Sequence, residues 1–75
     1  MILAEFVSGN AIGVVEAAAD GQGEPMVKIG VLDQAEPCSK ENFQEVIDKL
    51  RDFLLEELPA SAAEDLLLDA QKNPA

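Results

Sequence analysis

The sequence contains no histidine, no tryptophan and no tyrosine, and only one cysteine. Each absence removes a class of chemistry. Without histidine, the commonest general base and metal ligand is missing. A lone thiol, Cys38, excludes an intramolecular disulfide and makes a structural zinc site an unfavourable expectation. Basic residues are also scarce: five Lys and Arg stand against fifteen Asp and Glu, giving a net charge of −10. Direct binding to DNA, RNA or an anionic membrane needs local positive charge, so the expected partner is a basic protein. No apolar run approaches the ~18 residues of a membrane-spanning helix. The first residues, MILAEFVSGN, lack the basic start and long apolar core of a signal peptide, and with the lone thiol they give a cytoplasmic expectation. Three phenylalanines are the only aromatics. The core of this single 75-residue domain must therefore be aliphatic and small, and self-association, a homodimer by default, is the expected source of extra stability.

What is present is dominated by Ser39 to Leu58, SKENFQEVIDKLRDFLLEEL. Phe43, Val46, Ile47, Leu50, Phe53, Leu54 and Leu58 recur at steps of three and four, the spacing of one helical stripe. Glu41, Glu45, Asp48, Asp52 and Glu56 follow similar steps on the opposite side. The pattern predicts a helix over 40–58 with one face covered and the other a row of carboxylates. Ser39 suits an N-cap, Glu41 suits the positive end of the helix dipole, and Pro59 stops the helix. Ser61-Ala62-Ala63-Glu64 matches a capping box, predicting a second helix over 62–71. Its three successive leucines, Leu66, Leu67 and Leu68, subtend too wide an arc for one narrow contact.

The N-terminal half reads as strands. ILAEFV predicts a strand over 2–7, with Ile2, Ala4 and Phe6 on one face and Leu3, Glu5 and Val7 on the other. Ser8-Gly9-Asn10 is a turn cluster. A second strand is expected over 11–18, with a helical turn over 14–19 as the competing assignment. MVKIGVL predicts a third over 26–32. Gly13 and Gly30 permit a close backbone approach or a bulge. Asp33 to Cys38 is a linker. The order βββαα predicts an α+β domain, an antiparallel meander covered on one face by two helices.

Catalytic motifs are missing: there is no GxxxxGK[ST], GxSxG or GxGxxG pattern, and the carboxylates look solvent-facing. No catalytic residue, cofactor or metal is expected. Asp33, Glu36 and Glu41 are oxygen ligands close in sequence but lack EF-hand spacing. Cys38 precedes a helix start, a position that favours thiolate, although a partly buried, unreactive cysteine is the better expectation. Acyl carrier proteins are similarly small and acidic and also place a serine at a helix start. They set it in an Asp-Ser-Leu motif within a helical bundle, whereas Cys38 and Lys40 flank Ser39, so Ser39 is assigned to capping.

Two roles remain. The row Glu41, Glu45, Asp48, Asp52 and Glu56, extended by Glu64 and Asp65, has charges about 4.5–6 Å apart along the helix, comparable to phosphates on a nucleic-acid strand. In size and charge the chain resembles small acidic inhibitors of restriction and CRISPR systems from phages and mobile elements. That resemblance implies an inhibitor occupying the basic groove of a nucleic-acid-binding protein. The alternative is a homo-oligomeric structural or assembly protein. Its interface would use Leu55, Leu66, Leu67 and Leu68, with Leu3, Val7 and Val15 from the second face of the sheet.

Overall fold

A computed structural model describes residues 1–18 and 23–72. It shows the expected α+β order: β1 (Ile2–Ser8), β2 (Ala11–Glu16), β3 (Met26–Val31), α1 (Lys40–Glu57) and α2 (Ala60–Lys72). The strands form an antiparallel sheet in the order β1-β2-β3. A two-residue turn joins β1 to β2, and Gly9 takes φ +55° at its first central position. Asn10 keeps negative φ, so this is the type II′ arrangement, whose twist suits a hairpin.

Pairing runs through Glu16, with Val14 opposite Lys28 and Val15 opposite Val27. The β alternative therefore holds at 14–16, while the end of the segment weighed as a helical turn lies outside the described residues. The second strand stops short of the expected Ala18. Poor strand formers, Ala17 and Ala18, follow Glu16.

Ala11, Val15 and Ile29 are buried on the helix-facing side of the sheet. Gly13 lies between them, and a Cβ there would come within 2.6 Å of Val46 and 2.7 Å of Leu50. Glycine in the central strand is what lets α1 settle close to the sheet. The stripe on α1 is spent in this contact: Val46, Ile47, Leu50 and Leu54 are buried, and Phe43, Phe53 and Leu58 pack at the margin. Phe6 of β1 meets Phe53 edge to face, with ring centroids 6.2 Å apart. From α2, Ala63, Leu67 and Ala70 complete the core.

One strand departs from simple alternation. The β1–β2 register shifts between Ile2 and Ala4, so Ile2 pairs with Glu16 and Ala4 with Val15. A bulge of this kind lets adjacent residues share a face. Leu3 consequently borders a cleft with Phe53, Leu54 and Leu58. Ile2 falls in the row of Glu16, away from the helices. The expected faces of Ile2 and Leu3 are thus exchanged.

The helix ends follow the local chemistry. The Ser39 hydroxyl accepts from the Asn42 amide at 3.2 Å, capping α1 as expected. Leu58, the residue before Pro59, is extended at φ −133° and ψ 156°, as proline requires of its predecessor. The expected capping box does not form. The Ala63 amide donates to the Pro59 carbonyl at 3.0 Å, so α2 starts at Ala60 and Ser61 lies inside its first turn. Pro59 lies just outside the helix, and its carbonyl accepts the first helical hydrogen bond two residues ahead of the expected Ser61 cap. No described helix is long and apolar enough to cross a membrane.

Candidate functional site

With its apolar stripe against the sheet, α1 must turn its other side outward. Glu41, Glu45, Asp48, Asp52 and Glu56 are all exposed, as are Glu64 and Asp65 on α2. From Glu41 to Glu56 the row spans roughly 22 Å at the helical rise. The row is not uniform. Glu45 accepts from the Ser8 hydroxyl at 2.8 Å and pairs with Lys49 at 3.3 Å. The Ser8 bond, reinforced by Lys49, holds the Glu45 carboxyl below the usual glutamate range. Asp48 accepts from Gln44 at 2.9 Å and pairs with Arg51 at 3.3 Å.

Arg51 also reaches across to α2, where its Nε donates to Glu64 at 2.9 Å. That ion pair links the two helices and removes Glu64 from the freely available charge. Among the described residues Glu41, Asp52 and Glu56 have no cationic partner. These three are the unneutralised part of the ridge. Leu55 stands exposed beside them by helical position, adding an apolar contact to an otherwise anionic face.

The four leucines expected at an oligomer seam do not share a surface. Leu67 is only 1% exposed and belongs to the core of the single chain. Leu66 packs against that core's margin, while Leu55 and Leu68 are exposed. A buried Leu67 cannot line a seam without unpacking the domain. Val15 is likewise fully buried under α1, although the sequence had placed it on the outer face with Leu3 and Val7. The physical reason is that β2 buries its odd-numbered positions, where Gly13 admits the helix.

Two further residues position the site and carried no periodic signal. The Asn10 side chain donates to the carbonyls of Asp33 at 2.8 Å and Glu36 at 2.9 Å, and accepts from the Asp33 amide at 2.8 Å. It ties the hairpin turn to the linker leading into α1. Ser8 then ties the end of β1 to α1 through Glu45. Turn-forming composition at 8–10 hinted at the hairpin but not at these long-range bonds.

The linker, β3, Phe43 and Ile47 of α1, and the end of α2 enclose an open cleft of about 620 Å³, with Cys38 in its wall. Among the described residues, no group of three or more carboxylate, thiol or imidazole side chains is placed to hold a metal ion. Asp33, Glu36 and Glu41 form no such cluster. No family model, no curated protein and no solved structure matches this chain.

Proposed function

We propose that the protein is a small non-catalytic binding module that presents the outer side of α1 to a basic surface of a partner protein. The observation carrying this is the division of α1: four side chains fully committed to the core, and five carboxylates exposed along the other side. Anionic charge spread over roughly 22 Å of a rigid helix matches the extent of several nucleic-acid phosphates, which on each strand of a duplex rise ~3.4 Å apiece along the helix axis. A groove built to hold a phosphate backbone is the complementary surface. Occupying it would exclude nucleic acid, which makes an inhibitor of a nucleic-acid-binding protein the specific form of the proposal. Long-range attraction would steer the encounter, and salt would weaken it.

The test is affinity capture of partners on the immobilised protein at low and at high salt, followed by challenge with duplex DNA. The proposal expects a basic protein held at low salt, released at high salt and displaced by DNA. A partner that stays bound at high salt and ignores DNA would contradict the electrostatic mimicry.

A further inference from the structure

The sheet face turned away from the helices is unusually apolar for a surface. Antiparallel sheets with one solvated side normally set polar residues there. Here that side carries Ile2, Val7, Ile12, Val14 and Met26, with Ile2, Val7 and Met26 each about half exposed. Among the described strand residues, Glu5, Glu16 and Lys28 bring charge to it. Both helices pack on the opposite face, which holds the core.

The three charges are arranged in a particular way. Glu5 pairs with Val14, and Val14 pairs with Lys28. The middle row across the sheet therefore reads acid, apolar, base. Among the described residues neither Glu5 nor Lys28 forms an ion pair within the chain. A two-fold axis lying in the interface, parallel to β2, would set each row upon itself in reverse. Glu5 of one chain would then lie over Lys28 of the other, twice, with Val14 against Val14 between them. The next row, Val7, Ile12 and Gly30, would place the bulk of Val7 over the space at Gly30. Glu16 meets its own copy, but in the end row, where its carboxylate reaches the rim.

We infer that this face binds a second copy of the chain, forming a face-to-face C2 dimer closed by two Glu5–Lys28 pairs over an apolar centre. Aligned sheets pack about 10 Å apart, a separation two long side chains can bridge. The net charge of −10 does not forbid the association. The α1 ridges would occupy the two outermost surfaces, with roughly three layers of about 10 Å between helix axes. That distance is several times the ~8 Å screening length at physiological ionic strength.

The test is sedimentation equilibrium of the wild type, Glu5→Lys, Lys28→Glu and the double exchange. All the changes are at exposed positions, and circular dichroism checks that each variant folds. The wild type is expected at twice the chain mass of 8.0 kDa. Either single reversal sets like charges face to face and should weaken dimerisation about tenfold or more, while the double exchange should return it close to wild type. A monomeric wild type would overturn the inference. So would a dimer indifferent to both single reversals, or a double exchange no better than the singles. The measurement needs no other partner, so its failure would leave the role of α1 standing.

Discussion

Gly13 and Asn10 each do something no other residue type would do in the same place. At Gly13 the nearest atoms to an added methyl belong to Val46 and Leu50, both fully buried and without room to retreat. Gly13→Ala should therefore destabilise the fold by about 1–3 kcal/mol, the usual effect of overpacking, seen as a lower midpoint in thermal or urea unfolding. Asn10→Ala removes three hydrogen bonds at an exposed junction and should cost about 1 kcal/mol, since water replaces part of what is lost. Glu45 gives a pH signature. Its folded-state pKa is depressed, chiefly by Ser8 and then by Lys49. The stability it contributes is therefore present above its unfolded pKa and is lost as pH falls through the folded one. Stability of the wild type should fall more steeply in the acid range than that of Glu45→Gln, measured by urea unfolding at successive pH values.

At the scale of elements, α1 was the most legible part of the chain. Its seven apolar positions lie in or against the core, and its five carboxylates are exposed, because an 18-residue helix repeats its period often enough to leave one solution. The strands were legible in number, order and alternation, except at the start of β1. A single bulge between Ile2 and Ala4 exchanged two side chains, and no local composition announces a bulge. The start of α2 was misplaced because the capping-box pattern at 61–64 pointed to Ser61, whereas the helix begins directly after Pro59, whose carbonyl accepts its first hydrogen bond. Leu66, Leu67 and Leu68 show the limit of a run of identical residues. Only packing decides which one goes inside, and it chose Leu67. Leu67→Ala should cost about 2–5 kcal/mol, as for other buried leucines. Leu68→Ala, at a half-exposed position, should fall within about 0.5 kcal/mol of wild type by the same unfolding measurement.

At the scale of the molecule, charge and apolar surface are segregated. The helical side carries the unneutralised carboxylates Glu41, Asp52 and Glu56, and the open side of the sheet is largely apolar. The proposed recognition surface and the proposed dimer face therefore lie back to back, and one can be altered without the other. Asp48 and Glu45 are poor probes of recognition, because Arg51, Lys49 and Ser8 give them structural work. Asp52 and Glu56 are one helical turn apart, exposed, and without a cationic partner among the described residues, so they isolate the electrostatic role. Reversal leaves a like-charged pair at 52 and 56, but it sets a lysine four residues after Asp48 and another in the last turn of α1, where the helix dipole favours cations and no basic residue now stands, so it should not harm the fold. The deciding measurement is the affinity of the captured basic partner for Asp52→Lys/Glu56→Lys, taken beside a thermal melt of the same protein. Binding lost with a melting point equal to or above that of the wild type is the predicted result; binding retained in a folded variant would contradict it.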